Sequence, residues 1–357
     1  MATHFHTLKV KEVKKETSDC VSVSFLIPED LTEIFSFKEG QNITIKKNIN
    51  GEEIRRSYSI CNAPYEKELK VAIKKTTGGL FSSFANDELK TGDILEIMPP
   101  TGRFNAKSET GNYLAIAAGS GITPIISIIK HTLKTQPKSN FTLIYGNKSR
   151  GSIIFFEDIE ALKNKFMERF TCINILSREK TDAEINYGRI GTEKLDGLKH
   201  LLNFKTFNDA FICGPEEMIF ASAAFLEENG ILKNNIHFEL FTTPGQKQSA
   251  ISSKQLAEEI DAGPKSNITI KVDGRSFNFN LAYKAENILD AALQQGADLP
   301  FACKGGVCCT CRAKLMVGKV HMDVNYALED DEVAQGFILT CQSHPLTEKI
   351  VVDFDVK

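Results

Sequence analysis

The sequence predicts a multidomain fold: an antiparallel β-barrel, an α/β domain with a parallel sheet, and a smaller α+β domain. At 357 residues the chain is too long for one ordinary hydrophobic core. Its first third consists of short alternating strands, and its middle third alternates apolar strands with helical patterns. Its last quarter carries a tight group of cysteines. We expect domains at residues 1–107, 108–241 and 267–357, with a linker at 242–266.

The composition argues against several functional classes. Charged residues make up 25% of the chain and hydrophobic residues 42%, as in water-soluble globular proteins. The net charge of −3 provides no strong basic field for nucleic acid. The N-terminus lacks a basic region followed by an apolar core, and glycines and a proline interrupt the apolar stretch near 113–129. We therefore expect a cytoplasmic protein that binds neither nucleic acid nor a membrane.

Four cysteines have the spacing of a plant-type [2Fe–2S] ligand set. Four residues separate the first two, two residues separate the second from the third, and the fourth lies downstream. Gly305 and Gly306 lie between the first two and allow the backbone to approach a small cluster closely. The predicted metal ligands are Cys303, Cys308, Cys311 and Cys341.

Zinc, a disulfide or buried free thiols are the alternatives at this loop. Zinc sites usually show two paired Cys or Cys/His knuckles, and a second pair is missing from the sequence. Disulfides need an oxidising compartment, which nothing else indicates. Cys309 fits no ligand register, because only Thr310 separates it from Cys311, so we interpret it as a non-ligand. A one-electron centre needs an electron source, which the rest of the chain should provide.

Two motifs mark the predicted barrel. Arg56-Ser57-Tyr58-Ser59 combines a cation, suited to a pyrophosphate, with an aromatic face, suited to a flat ring. Gly78-Gly79 leads into a short predicted helix at Ser82–Asn86, where free backbone N–H groups can hold an anion. Each motif alone is equally consistent with a strand that carries a surface charge or with a simple turn.

The middle third begins with a strand, a glycine turn and a helix. The apolar run Tyr113–Ala117 reads as a parallel strand covered on both faces. It continues into Gly119-Ser120-Gly121 and the helical pattern Ile125–Thr135, a context in which a Gly-x-Gly turn predicts a dinucleotide site. The strand–helix alternation then repeats, which indicates a parallel sheet with ligands at the carboxyl ends of its strands.

In this order, the motifs resemble the flavin-binding and nucleotide-binding halves of the ferredoxin–NADP⁺ reductase superfamily. The resemblance implies FAD and a pyridine nucleotide as cofactors, and it assigns no catalytic residue. The FAD contacts that it implies are Arg56, Tyr58, Ser59, Ile73, Lys74, Gly79, Leu80, Phe81 and Ser82. The nucleotide contacts that it implies are Gly119, Ser120, Gly121, Thr123, Pro124, Ser177, Arg178, Cys213, Gly214, Pro215 and Met218.

By the same resemblance, Ser177 and Arg178 lie where the superfamily holds the adenosine 2′-phosphate. A cation suits that phosphate, whereas an acidic residue would favour NADH, so we expect NADPH rather than NADH. The alternative for Arg178 is a solvated charge at a strand end. Glu239 and Phe241 follow near the end of this domain, and the sequence assigns neither a role.

The last quarter has the pattern of the β-grasp fold of plant-type ferredoxins. An Asp273-Gly274 turn joins two alternating runs, as in a hairpin. A helix at Asn287–Gln295 precedes the cysteine loop, and a further helix is possible in the linker at Ser253–Glu259. The acidic run Glu329–Glu332 reads either as solvated charge or as a docking face for a basic partner. The predicted strands are Ile268–Val272, Ser276–Leu281, Arg312–Val317 and Lys349–Asp355.

The order of barrel, nucleotide domain and cluster domain resembles the reductase components of multicomponent oxygenases. The stretches Phe301–Leu315, Ala327–Asp330 and Leu339–Gln342 carry this similarity. It implies an electron relay from NADPH through FAD and [2Fe–2S] to an oxygenase component with a di-iron subunit. The alternatives are a reductase for another monooxygenase, hydroxylase or desaturase, and a redox sensor that does not catalyse.

Overall fold

The computed structural model describes residues 4–105, 110–241, 265–283 and 286–356. They form two compact units: one is Phe5–Leu240, and the other contains His4 and the described residues from Phe241 onward. The predicted linker helix at Ser253–Glu259 lies outside the described residues. Among the helices described, none is both long and apolar enough to cross a membrane.

The first part of the larger unit is a six-stranded antiparallel sheet in the order β4-β3-β6-β1-β2-β5. A bridge between Ile60 and Val71 joins the β4 and β5 sides, so the sheet curls toward a barrel. The strands are β1 (His6–Thr17), β2 (Cys20–Leu26), β3 (Asn42–Ile49), β4 (Glu52–Ser59), β5 (Leu69–Lys74) and β6 (Ile94–Ile97), and the helix α1 covers Leu80–Asp87.

The second part of this unit is a five-stranded parallel sheet in the order β11-β10-β7-β8-β9. Its central strands are buried almost throughout, as the continuous apolar run predicts. The elements are β7 (Asn112–Ala118), α2 (Ile122–Thr135), β8 (Asn140–Asn147), α3 (Phe156–Lys165), β9 (Phe170–Leu176), α4 (Thr192–Gly197), β10 (Asp209–Cys213), α5 (Glu216–Glu228) and β11 (Ile236–Glu239).

The smaller unit is a mixed sheet in the order β13-β12-β18-β14-β16, with a separate pair, β15 and β17. The predicted hairpin is confirmed, because Asp273 and Gly274 both have left-handed φ angles, 49° and 70°, as a tight two-residue turn requires. The elements are β12 (Lys265–Val272), β13 (Arg275–Ala282), α6 (Ile288–Gln294), β14 (Arg312–Val317), β15 (Val320–Met322), α7 (Asp330–Ala334), β16 (Phe337–Leu339), β17 (Ser343–Pro345) and β18 (Lys349–Asp353).

The acidic run at Glu329–Glu332 is not one solvated patch, so that interpretation is corrected. Glu332 is only 2% exposed and forms an ion pair with Arg312, with 2.9 Å between Oε1 and Nε. The Arg312 guanidinium in turn lies 3.5 Å from the centre of the Phe337 ring. Asp330 and Asp331 remain exposed at the start of α7. One of the four predicted surface charges is therefore a buried structural anchor.

Candidate cofactor sites

The end of β4 combines an aromatic face with polar groups. The rings of Tyr58 and Phe81 lie 5.6 Å apart between centroids, and burial raises the pKa of the Tyr58 phenol above its usual range. The phenol therefore stays neutral and presents an uncharged ring. Arg56 is exposed, and its Nη1 donates to the Arg55 carbonyl 2.7 Å away. Ser59 is buried at the end of the strand.

The predicted anion-binding turn is held rigid by its own side chains. Gly78 has a φ of +76°, a conformation that favours glycine. The Ser82 hydroxyl accepts from the Thr76 N–H at 3.1 Å and donates to the Gly79 carbonyl at 3.2 Å. Asn86 Nδ2 donates to the Ile73 carbonyl at 3.0 Å, which fixes α1 against β5. Ser82, predicted from the resemblance as a cofactor contact, therefore also organises the turn.

The glycine turn after β7 packs tightly against the end of β10. A Cβ on Gly121 would lie 2.0 Å from the Cys213 carbonyl oxygen, and a Cβ on Gly214 would lie 2.6 Å from Met218 Cε. Only glycine fits such a close approach of two backbones. The turn is further fixed by Tyr145, whose hydroxyl donates to the Gly119 carbonyl at 2.9 Å. The turn leads directly into α2, and the N-terminal end of a helix favours anionic phosphates.

Lys74 connects the barrel to this glycine turn within the larger unit. It lies at the end of β5, and its Nζ is 3.7 Å from Asp19 Oδ2. A Cβ on Gly119 would lie 3.7 Å from the same Nζ. The structure therefore brings a predicted FAD contact next to a predicted nucleotide contact, although 45 positions separate them in the sequence.

Three polar side chains meet at the ends of β4, β10 and β11. Ser59 Oγ donates to Glu239 Oε2 at 3.1 Å, and Cys213 is paired with Glu239 in the register of the parallel sheet. Burial raises the pKa of the Glu239 carboxyl from 4.5 to about 7, although the Ser59 hydrogen bond opposes the shift. Burial also raises the pKa of the Cys213 thiol well above its usual value, and the Glu239 charge adds to this effect. The site therefore holds a carboxyl group that titrates near neutral pH.

Glu239 is a candidate functional residue to which the sequence alone assigns no role. Its partner Ser59 is 180 residues away, so nothing in the local pattern shows that the two meet. The available signal was its position at the end of the last strand of a parallel sheet, where ligands bind. Phe241, two residues further along the chain, is 42% exposed.

Ser177 and Arg178 lie just after β9, at the carboxyl edge of the parallel sheet. Their backbone N–H groups donate to the carbonyls of Asn147 and Lys148, both at 2.8 Å. The Arg178 side chain is exposed. The neighbouring Glu179 carboxylate accepts from the Arg150 N–H at 2.8 Å, so this acidic group already caps a loop. The edge thus offers a solvent-facing cation.

The four predicted ligand cysteines gather in the smaller unit. The sulfurs of Cys303 and Cys308 are 3.1 Å apart, and the Cys341 thiol is in hydrogen-bond contact with those of Cys303 and Cys311. Gly305 N–H points to Cys303 Sγ at 3.3 Å. The sulfurs of one loop and one distant segment therefore converge.

The Cys309 side chain does not join the other four sulfurs. Its Sγ donates to the Ala327 carbonyl at 3.1 Å, which supports its interpretation as a non-ligand.

The donor set fits an iron–sulfur cluster. Thiolates are the ligands of [2Fe–2S] centres, and backbone N–H groups directed at sulfur are their usual neighbours. Gly306 has a φ of +73°, and a Cβ there would lie 2.9 Å from Val324 Cγ2, so the loop closes tightly. Within the described ranges, no group of three or more His, Cys, Asp or Glu side chains is arranged so that it could hold a metal ion. The fit therefore rests on donor chemistry and convergence, not on a preformed cage.

Three family models match successive parts of the chain. The oxidoreductase FAD-binding domain matches residues 7–106, and the oxidoreductase NAD-binding domain matches residues 115–223. The 2Fe-2S iron–sulfur cluster binding domain matches residues 270–346. The three matches follow the order of barrel, parallel sheet and cysteine loop.

Similar proteins span the whole chain. A 1,2-phenylacetyl-CoA epoxidase subunit from Escherichia coli (strain K12) is 45% identical and covers 99% of this chain and 99% of its own length. The chain belongs to the ferredoxin–NADP⁺ reductase-type family with a [2Fe–2S] domain. The ferredoxin reductase component of 3-ketosteroid-9-alpha-monooxygenase from Rhodococcus rhodochrous is 30% identical, covering 97% of this chain and 96% of its own. The fold of phthalate dioxygenase reductase matches with a TM-score of 0.60, 21% identity and 98% coverage of both chains.

The family assignment confirms the predicted fold class and the predicted cofactor types. The reductase is an oxidoreductase that uses FAD, a pyridine nucleotide and a [2Fe–2S] cluster. The resemblance seen in the sequence motifs is confirmed as well.

Proposed function

We propose that this reductase passes electrons from NADPH through FAD and the [2Fe–2S] cluster to a di-iron phenylacetyl-CoA epoxidase. The observation that carries the proposal is the 45% identity to the Escherichia coli 1,2-phenylacetyl-CoA epoxidase subunit over 99% of both chains. The convergence of four cysteines in the unit that the 2Fe-2S model matches supports it.

We propose the two sets of cofactor contacts named from the sequence as the FAD and nucleotide sites. FAD, when bound, takes an electron pair from the nucleotide and gives electrons singly to an iron–sulfur centre. Tyr58 provides the aromatic face, and the buried Phe81 ring packs against it. Gly121 and Gly214 allow the backbones at the ends of β7 and β10 to come together, and the α2 N-terminus offers N–H groups to phosphate.

Ser59 and Glu239 can hold and exchange a proton beside these contacts. The Glu239 carboxyl, with its pKa of about 7, is partly protonated at neutral pH, and the Ser59 hydroxyl holds Oε2 in place. A proton can therefore be held at Glu239 Oε2 and exchanged through Ser59 Oγ, next to the proposed cofactor contacts.

The preference for NADPH rests on the exposed cation at the end of β9. A 2′-phosphate carries extra negative charge, and a guanidinium binds it through charge-assisted, often bidentate, hydrogen bonds. Arg178 offers such a group to solvent. The carboxylate that could favour the ribose hydroxyls of NADH, Glu179, is engaged with the Arg150 N–H.

The test is reconstitution with the purified oxygenase component of a phenylacetyl-CoA epoxidase. We expect NADPH-dependent, oxygen-dependent epoxidation of phenylacetyl-CoA that requires the reductase. A reductase with Cys303→Ser should not support it, whereas Cys309→Ser should. Reduction of an artificial acceptor together with no epoxidation would reject the epoxidase partner while leaving the relay in place.

A second candidate is a reductase for a different oxygenase. The reductase components of 3-ketosteroid-9-alpha-monooxygenase and glycine betaine monooxygenase are also similar over nearly the whole chain, at 30% and 27% identity. Parallel reconstitution with those oxygenases discriminates between the partners. Turnover of NADPH with an artificial acceptor would exclude a sensor that does not catalyse.

A further inference from the structure

The side chain of Gln342 joins the two chain segments that carry the cluster ligands. Its Nε2 lies 2.9 Å from the Cys341 carbonyl, 3.0 Å from the Lys304 carbonyl and 3.8 Å from Cys341 Sγ. Gln342 is only 9% exposed. A buried carboxamide therefore spans from the downstream ligand to the loop that begins at Cys303, and one of its two N–H groups is shared between a carbonyl and a ligand sulfur.

The loop residue that Gln342 holds has an unfavourable backbone conformation. Lys304 has a φ of +52°, which a residue with a Cβ adopts at a cost. Its carbonyl is held by Gln342, its ammonium lies 2.6 Å from Asp290 Oδ1, and the same ammonium lies 4.7 Å from the centre of the Phe301 ring. Lys304 is thus fixed from three sides, so the left-handed turn persists.

This turn has a direct consequence for a second ligand. Immediately after Lys304, the Gly305 N–H points to Cys303 Sγ at 3.3 Å. If the Lys304 carbonyl were released, the orientation of this N–H would no longer be fixed. Gln342 therefore acts on two ligands: through its own N–H on Cys341, and through the Lys304–Gly305 peptide on Cys303.

Hydrogen bonds to ligand sulfurs set the potential of an iron–sulfur centre, because they stabilise the additional negative charge of the reduced state. Groups that orient metal ligands from outside the ligand set also control how firmly the metal is held. We propose that Gln342 is a positioning residue that raises the reduction potential of the cluster and slows its loss. The inference rests on the proposed cluster site.

The experiment compares Gln342→Met with Ser343→Ala in the full-length, cluster-loaded protein. Methionine keeps the length and burial of the side chain but removes the N–H groups. Ser343 is a matched control, since it is adjacent and fully buried but donates to the Leu339 carbonyl rather than to a ligand sulfur. The readouts are the midpoint potential from a titration followed by electron paramagnetic resonance, and the rate of bleaching by an iron chelator.

For Gln342→Met we expect the reduction equilibrium of the cluster to shift about fivefold toward the oxidised state, the size of one ordinary hydrogen bond. For one electron this lowers the midpoint potential by about 40 mV. Bleaching should be several times faster. Ser343→Ala should leave the potential at the wild-type value, even if it lowers the melting temperature.

If Gln342→Met does not retain a cluster, Gln342→Leu replaces it, since it is also uncharged and lacks the N–H groups. It should lower the potential by about as much as Gln342→Met. A cluster-loaded Gln342 variant with the wild-type midpoint potential would overturn the inference. An equal shift in Ser343→Ala would also overturn it. Neither result would bear on the proposed electron relay. A wild-type protein that never shows a [2Fe–2S] spectrum would instead reject the proposed function.

Discussion

At the scale of single residues, Glu239 shows how a half-buried position, shielded from water, changes the chemistry of a carboxyl group. Burial raises its pKa from 4.5 to about 7, so the folded protein binds a proton that the unfolded chain has already released. Where the folded state binds more protons, stability falls as the pH rises. Glu239 therefore costs stability progressively between about pH 4.5 and pH 7 and by a constant amount above that range.

The variant Glu239→Gln removes this cost. We expect its melting temperature to exceed that of the wild type by an amount that grows between pH 5 and pH 7 and then stays constant. The measurement is thermal unfolding at a series of pH values. Glu228→Gln, an exposed carboxylate at the end of α5, is the control and should show no such trend. A difference that does not vary with pH would contradict the account.

Arg178 is the residue on which the nucleotide preference depends. Replacing it with alanine removes a cation at the proposed 2′-phosphate position, so we expect the KM for NADPH to rise about tenfold or more and that for NADH to change little. Steady-state kinetics with both nucleotides measures this. Lys134→Ala, an exposed cation at the far end of α2, should leave both values unchanged. Equal changes in the KM for NADPH and for NADH would show that Arg178 does not contact the 2′-phosphate.

The site residues that sequence alone can indicate are those whose proposed role depends on the spacing within one short segment. The cysteine loop and the Gly119–Gly121 turn are of this kind, because one short segment carries their geometry. Glu239 and Gln342 are of the other kind. Each acts through a partner more than 30 positions away, and only the fold brings those atoms together.

At the scale of elements, the tight contact between the glycine turn and the end of β10 determines which side chain is allowed. In Gly121→Ala the new methyl group would lie 2.0 Å from the Cys213 carbonyl oxygen, so the turn must move. We expect the melting temperature to fall by about 5 °C or more, with weaker nucleotide binding.

The matched control for that change is Gly151→Ala. It also lies in a turn after a strand of the same sheet, but a Cβ there would meet nothing within 4 Å. Its melting temperature should stay near the wild-type value. If both variants behave alike, the close approach of the two backbones is not what requires glycine.

Helix α7 is fixed by the ion pair between the buried Glu332 and the partly exposed Arg312. Removing one partner of a buried pair leaves an uncompensated charge, at a cost of about 3 kcal/mol. In Glu332→Gln we expect cluster absorbance to be lost on heating roughly 10 °C earlier than in the wild type. Asp331→Asn, on the exposed face of the same helix, should shift this temperature by about 1 °C at most. Equal shifts would show that the pair is not an anchor.

Most elements follow from the sequence, and the differences have local causes. After β8 the apolar pattern predicts a helix over Ile153–Phe166, but the helix begins at Phe156, because Phe155 has a left-handed φ of +60° that a helix cannot include. The β-branched run in the barrel predicts a strand over Ser57–Ile60, but that strand starts at Glu52, because Asn50 and Gly51 form a tight turn that pairs it with β3 along its whole length. The sequence does not predict the short elements α4, β15, β16, β17 and α7, since runs of three to six residues carry too little periodicity.

At the scale of the whole molecule, the proposed relay requires one chain to convert electron pairs into single electrons. The matched FAD-binding, NAD-binding and 2Fe-2S domains provide the three carriers in one polypeptide. The order of carriers was predictable from the sequence, because each has its own motif. The proposed partner rests on resemblance alone, since no local pattern encodes the surface that an oxygenase recognises.

The most direct test is an anaerobic titration of the purified protein with NADPH, followed by absorbance and electron paramagnetic resonance. We expect about three electron equivalents per chain, two for FAD and one for the cluster, with a paramagnetic signal from the reduced cluster. A protein that stays colourless after anaerobic reconstitution with iron, sulfide and FAD would contradict the account. So would one that takes up only two equivalents and shows no cluster signal.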